Sequence, residues 1–169
     1  MPRPTQGEFS PYFGKYIHLA EGDDAKQVIE NSVLPLQEFL ASLPSEKAHF
    51  SYAEGKWTLS QLLQHMIDTE RVFAYRAMAI SRGEKQPLPG FDENEYADNA
   101  TAANRTLTDL ANEMLLVRQT TLLLYRNMTD EGLYRMGTAS QNPVNANAIA
   151  FILTGHVIHH ENLIKERYL

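Results

Sequence analysis

Cysteine is absent from this sequence, and so is any apolar run long enough for a membrane span. Without cysteine there are no disulfide bonds, no thiolate metal ligands and no cysteine nucleophile. A spanning helix needs about 18 or more consecutive apolar residues. The first residues, Met-Pro-Arg-Pro-Thr-Gln-Gly-Glu, also lack the apolar centre of a signal peptide. We therefore expect a cytoplasmic protein that does not associate with membranes.

An excess of positive charge is also missing. The formal net charge is −6, and no cluster of lysine and arginine offsets it. Binding to the phosphate backbone of nucleic acids is therefore not expected. Hydrophobic residues make up 43% of the 169 residues and charged residues 21%, which is typical of a soluble globular chain. This length suffices for one domain with its own core, and we predict a single domain over 1–169.

Apolar residues recur at helical spacing in four long segments of the chain. We predict helices near 24–43, 58–82, 101–128 and 145–167. Several starts carry capping residues: Asp23 or Asp24 for the first, Thr58 with Gln61 for the second and Asn145 for the fourth. Four long amphipathic helices predict an all-α fold, a four-helix bundle with long connections.

The segments outside these helices are expected to be irregular. Residues 1–22 form an arm whose aromatic and aliphatic residues should pack on the bundle. Pro35 lies inside the first helical pattern and should kink it. The connection over 83–100 is long for a compact domain, and such loops are more often functional than idle. No strand-like alternation is long enough to predict a sheet.

Three of the six histidines lie close together in the fourth predicted helix, at His156, His159 and His160. Side chains four residues apart on a helix share one face, so His156 and His160 can bind one metal ion. His65, on the inward face of the second helix, is the candidate third ligand. His159 is also a helical neighbour of His156, but His160 stays in phase with the inner face and is preferred.

Two further residues are candidate catalytic groups beside these ligands. Asp68 follows His65 by three residues and could orient an imidazole or act as a base, with a solvated surface position as the alternative. His159 would then lie on the flank of the site. In the long connection, Phe91 with its neighbours and Tyr96 could cover the metal or only the end of the bundle.

A charged pair is expected between the second and third helices. Arg118 lies at the edge of the inner face of the third helix, and a buried guanidinium needs a carboxylate. Glu70 is the nearest carboxylate by helical phase. We predict an interhelical ion pair rather than a catalytic role for these two residues.

The ordered set of motifs resembles the DinB-like superfamily of small metal-binding bundles over nearly the whole chain. The residues that carry the resemblance are Gly7-Glu8-Phe9-Ser10-Pro11-Tyr12, Gly55-Lys56-Trp57-Thr58, Gln64-His65-Met66-Ile67-Asp68-Thr69-Glu70, Gly90-Phe91-Asp92-Glu93, Val117-Arg118, and Gly155-His156 with His159-His160. The resemblance implies one divalent metal ion, zinc or nickel, bound by His65, His156 and His160. It also implies helix pairs that are not joined in simple up-and-down order.

A metal ion held by three neutral histidines keeps a position open, as catalytic zinc does. A water there should become acidic, with a pKa of about 7 on zinc, and a thiol there should bind as thiolate. The resemblance adds that characterised relatives include transferases and isomerases that use low-molecular-weight thiols. We therefore predict a metal-dependent enzyme of small molecules, a thiol S-transferase of detoxification or stress response.

Two other functions stay open from the sequence. The first is a metal-dependent hydrolase that uses a metal-bound hydroxide. The second is a non-catalytic helical binding or dimerisation protein in which the metal is structural. The predicted partners are a small-molecule substrate, a low-molecular-weight thiol and a second copy of the chain in a homodimer.

Overall fold

The computed structural model describes residues 2–169. Its elements are α1 (Gly14–Leu19), α2 (Ala25–Asn31), α3 (Val33–Ala41), α4 (Leu59–Ser81), α5 (Glu93–Asn99), α6 (Leu107–Arg126), α7 (Asp130–Tyr134), β1 (Met136–Ala139), β2 (Asn142–Asn145) and α8 (Ala146–Arg167). Short 3-10 turns lie at Pro11–Phe13, Ser45–Lys47 and Ala102–Asn104. Within the described range, no helix is both long and apolar enough to cross a membrane.

The four long helical units are α2 with α3, α4, α6 and α8. They lie close to the predicted positions, except that α6 begins at Leu107, six residues later than predicted, because Thr106 caps it. The mainly helical four-helix bundle is therefore confirmed. The starts of these units depend on the predicted caps. Asp24 caps α2, Thr58 and Gln61 form a reciprocal capping box at the start of α4, and Asn145 caps α8. Such caps satisfy backbone N–H groups that the first turn of a helix leaves unpaired.

The first predicted helix is broken rather than kinked. Helix α2 ends at Asn31 and α3 begins at Val33, with Ser32 between them. Pro35 has no N–H to donate to the carbonyl four residues earlier, and its ring clashes with that carbonyl. The effect of Pro35 therefore appears one turn before it in the chain.

Two of the segments expected to be irregular contain short helices. The arm over 1–22 includes α1, whose Tyr16 and Ile17 are buried. The connection over 83–100 includes α5, which Asp92 caps by accepting two backbone N–H groups. Helix α1 of this arm lies against α8.

A small antiparallel hairpin of β1 and β2 precedes α8, where no strand was expected. Its strands have only four residues each, and Gly137 and Pro143 interrupt any alternation of apolar and polar residues. Ser140 and Gln141 both have positive φ, at 49° and 64°, which is the signature of a tight hairpin turn. The backbone of Leu88 pairs with this hairpin through Thr138 and Ser140, and so ties the long connection to the start of α8.

Helix α8 lies at the centre of the bundle. Every residue from Ala146 to Val157 is buried, although the pattern predicted only one buried face. Helices α1, α2 and α4 pack around it. A helix that is apolar all round is typically buried on every side.

The predicted pair of Arg118 and Glu70 is confirmed inside this bundle. The two groups are 2.8 Å apart, and their side chains are 0% and 1% exposed. Arg118 also donates a hydrogen bond to the Ser32 hydroxyl, at 3.0 Å. The guanidinium therefore joins α4, α6 and the break between α2 and α3. Removing one partner would leave a buried charge uncompensated.

Helix α1 approaches α8 closely at Gly155. A Cβ atom at Gly155 would lie 1.8 Å from the carbonyl oxygen of Tyr16 and 2.4 Å from its carbonyl carbon. These are backbone atoms, which cannot move aside as the end of a flexible side chain can. Glycine at this position is therefore a requirement of the packing.

We expect Gly155→Ala to lower the free energy of unfolding by more than about 3 kcal/mol, because α1 must separate from α8. Gly14→Ala is the matched control, since the nearest atom to a Cβ there is 4.0 Å away. The control should change stability by less than about 1 kcal/mol. Denaturant unfolding of both variants measures the difference, and equal stabilities would contradict the close packing.

Candidate functional site

The three predicted ligand histidines meet where α4 crosses α8. His65 lies near the start of α4, and His156 and His160 lie on consecutive turns of α8. The Nε2 atom of His156 is 3.1 Å from Nε2 of His65 and 3.0 Å from Nε2 of His160. All three candidate ligand atoms lie within 4.8 Å of one another. The structure therefore brings together the set that the sequence singled out.

This arrangement fits a single divalent ion. A neutral imidazole nitrogen carries one hydrogen or one lone pair, so Nε2 of His156 cannot satisfy two neighbouring nitrogens well by hydrogen bonding. Three lone pairs directed at one cation satisfy all of them. Tetrahedral zinc, with bonds of about 2.0–2.1 Å, places two nitrogen ligands roughly 3.3 Å apart. The observed separations are close to that value.

Burial keeps these imidazoles neutral. It lowers the pKa of His65 to about 4, although the charge of Glu93 opposes the shift. Burial, with the charges of the neighbouring histidines, lowers the pKa of His160 to about 2. The pKa of His156 also lies well below its ordinary value, chiefly through burial and then through His160. At pH 7 all three histidines therefore have a lone pair available to a metal.

Aromatic rings hold two of the imidazoles in place. The ring of Trp57 lies 4.8 Å from the ring of His65, centroid to centroid. Tyr16 contacts the ring of His156 edge-on at 5.4 Å. Trp57 is the residue just before the cap of α4, and Tyr16 is carried by α1. Both rings are therefore positioned by the same local features that start and pack those helices.

The two candidate catalytic residues lie outside this cluster. His159 is half-buried, and its ring contacts Tyr16 at 5.4 Å. Asp68 accepts a hydrogen bond of 3.0 Å from Gln64 and lies beside Arg71 on another face of α4. Burial raises the pKa of Asp68. Neither residue lines the cavity into which the three histidines face.

That cavity has a volume of about 250 Å³ and is partly open to solvent. Its walls are largely aromatic, formed by Tyr12, Phe13, Tyr16, Trp57, Phe73 and Phe91. Polar groups come from Thr69, Arg76, Glu93 and Ser140. A mainly apolar cavity with few polar groups is typical of small-molecule sites, which span about 300–1,000 Å³, so this one is small.

The long connection contributes to the mouth of the cavity, as the sequence suggested. Phe91 and Glu93 line it, whereas Asp92 caps α5 and Tyr96 is 47% exposed. Arg76 and Ser140 also line the cavity, although neither was predicted from the sequence. A signal existed for Arg76, because it continues the face of α4 that begins at His65. No local signal marks Ser140, which reaches the cavity through the hairpin turn.

Comparison with known proteins identifies related folds. Residues 35–164 match the family model described as the DinB superfamily. YfiT from Bacillus subtilis, described as a probable metal-dependent hydrolase with an unusual four-helix bundle topology, is similar in structure. Its TM-score is 0.73 at 17% identity, and the match covers 98% of this chain and 91% of that one.

A second solved structure, a mycothiol-dependent maleylpyruvate isomerase, matches with a TM-score of 0.68 at 15% identity. The match covers 82% of this chain but only 58% of that one. At these identities the likeness shows the shared fold. No curated protein matches the sequence. Because the family match extends over most of its length, the chain belongs to the DinB superfamily.

Proposed function

We propose that this chain is a metal-dependent enzyme of small molecules, with one divalent ion, zinc or nickel, bound by His65, His156 and His160. The observation that carries the proposal is the convergence of three neutral imidazoles at the wall of a cavity. Three protein ligands facing an accessible cavity are the pattern of catalytic rather than structural zinc sites. The similar structures support it, since one is described as a probable metal-dependent hydrolase and the other as mycothiol-dependent.

Transfer of a small thiol to an electrophile is the reaction we favour. When bound, the ion would act as a Lewis acid and so favour the thiolate form of a thiol. The chain supplies the rest of the environment. The rings of Tyr16, Trp57 and Phe91 line the same cavity as the histidines, and contacts between sulfur and aromatic rings are favourable.

Hydrolysis is a second candidate, and Glu93 favours it. This carboxylate lines the cavity and lies close enough to His65 for its charge to raise the pKa of that histidine against the effect of burial. A carboxylate in such a place could accept a proton from an attacking water. A thiol that is already deprotonated needs no such base, so the two reactions differ in their dependence on Glu93.

The ligand set is tested by three single variants. We expect His65→Ala, His156→Ala and His160→Ala each to lower the metal content from about one ion per chain to a small fraction of it, because two imidazoles bind far more weakly than three. His159→Ala is the matched control, and its metal content should stay close to that of the wild type. Elemental analysis of the purified proteins measures this. Loss of metal in His159→Ala with retention in His160→Ala would contradict the ligand set.

The lowered pKa values predict the proton balance of metal binding. At pH 6.0, three histidines of ordinary pKa would release about two protons per ion bound. Here burial lowers the pKa of His65 to about 4 and that of His160 to about 2, and it holds the pKa of His156 well below its ordinary value. The histidines are therefore already neutral, and proton release should be close to zero. Calorimetric titration of the metal-free protein with zinc, in two buffers of different ionisation enthalpy, counts these protons. A release near two would contradict the burial of the site.

The reaction is tested with the cobalt-substituted protein and a small thiol, 2-mercaptoethanol. A thiolate charge-transfer band, with turnover of 1-chloro-2,4-dinitrobenzene that requires the thiol, is the expected result. His156→Ala should lose both signals.

Turnover of 4-nitrophenyl acetate without thiol, lost in Glu93→Gln, would instead support the hydrolase. An ion that stays bound with neither the band nor any turnover would contradict an enzymatic role. In that case the metal would be structural.

A further inference from the structure

Arg76 is a buried cation whose charge no acidic residue of the described chain neutralises. Its side chain lines the histidine cavity, and the residue is only 3% exposed. Its hydrogen bonds within residues 2–169 run from Nη2 to the carbonyl oxygen of Pro89, at 2.7 Å, and to the hydroxyl of Ser140, at 2.9 Å. Both acceptors are neutral. Neither Nε nor Nη1 donates a hydrogen bond to this part of the chain.

Aromatic rings supply the remaining contacts of the guanidinium. It lies 4.8 Å from the ring centroid of Phe73 and 5.9 Å from that of Phe91. Such contacts stabilise a cation much less than its removal from water destabilises it. Burial accordingly lowers the pKa of Arg76. The guanidinium would therefore gain from an anion that enters the cavity.

Arg118 is a second buried arginine, and the pairing of its charge can be compared with that of Arg76. Its guanidinium is 0% exposed and pairs with the carboxylate of Glu70. Arg76 is almost as buried, yet its position in the wall of an open cavity leaves room for a partner from outside the chain. The contrast indicates a ligand rather than a missing structural contact.

Arg76 and His65 lie at opposite ends of one wall of the cavity. Arg76 follows His65 by eleven positions on α4. These positions are about 16 Å apart along the helix axis, and their side chains leave the helix in directions that differ by roughly 20°. Thr69 and Phe73 lie between them and also line the cavity. The guanidinium of Arg76 lies over the ring of Phe73, 4.8 Å from its centroid. An elongated small molecule could therefore contact both ends.

We propose that Arg76 binds a carboxylate group of the substrate, so that the enzyme acts on a small organic acid whose opposite end faces the histidines. The inference rests on the proposed function for the reacting end, but the anion site itself needs only the cavity. A carboxylate fits better than a phosphate. Its single charge and two oxygens match one guanidinium fork, and Glu93 would oppose a second negative charge in the same cavity.

The test is calorimetric binding of benzoate to the metal-loaded protein, with neutral benzamide and with phenyl phosphate for comparison. Benzoate should bind to the wild type, and Arg76→Met should weaken it about ten- to hundredfold, the range expected for losing a charge-assisted hydrogen bond. Metal content should not change. Arg126→Met is the matched control, since Arg126 is half-exposed, pairs with Glu30 and does not line the cavity.

Thermal unfolding without ligand separates this role from a structural one. Arg76→Met should change the melting temperature little, because the loss of two hydrogen bonds to neutral acceptors is offset by the removal of a buried charge that has no anionic partner within residues 2–169. A large loss of stability, equal binding of benzamide and benzoate, or unchanged benzoate affinity in Arg76→Met would each overturn the proposal. Binding of phenyl phosphate in preference to benzoate would overturn the choice of a carboxylate.

Repeating the titration on chelator-treated wild type separates this proposal from the metal proposal. Benzoate binding that depends on Arg76 should persist without the metal. If it persists while the histidine variants show no change in metal content, the metal proposal fails and the anion site stands. If benzoate binds only to the metal-loaded protein, and equally well in Arg76→Met, the metal site stands and the anion site fails.

Discussion

The burial of α8 on all sides is the constraint on which the rest of this structure depends. A central helix of this kind can be covered only if its neighbours approach closely, and α1 does so where Gly155 leaves no Cβ between the two backbones. That approach places Tyr16 against the ring of His156 and makes the N-terminal arm one wall of the cavity. The packing of the bundle and the shape of the site therefore have a common origin.

Burial also decides how each polar group inside the bundle behaves. The charge of Arg118 is compensated by Glu70, 2.8 Å away. Within residues 2–169, His156 and His160 have no such carboxylate partner, and burial instead favours their neutral forms. Neutral imidazoles are the form that binds a metal ion. The buried interior thus contains an ion pair, whose opposite charges compensate each other, and a candidate metal site, whose ligands are neutral.

The chemistry of the site follows from the two ends of the cavity wall on α4. The end at His65 carries neutral nitrogen ligands with the carboxylate of Glu93 nearby, which suits a divalent cation. The end at Arg76 carries a cation with neutral protein partners, which suits an anion. Between them the wall is mostly aromatic, which suits apolar contact with a small molecule. Thiol transfer and hydrolysis are the two reactions proposed for this environment.

The sequence by itself determined the long helices, their caps and the pairing of His156 with His160, because these depend on residues within one or two helical turns. Helical phase also placed His65 and the pair of Arg118 with Glu70 on inward faces. Only the tertiary structure decided the rest. The hairpin has strands too short for a periodic signal and relies on distant Leu88. Within residues 2–169, the lack of a carboxylate beside Arg76 is likewise set by long-range packing, which spacing along the chain does not encode.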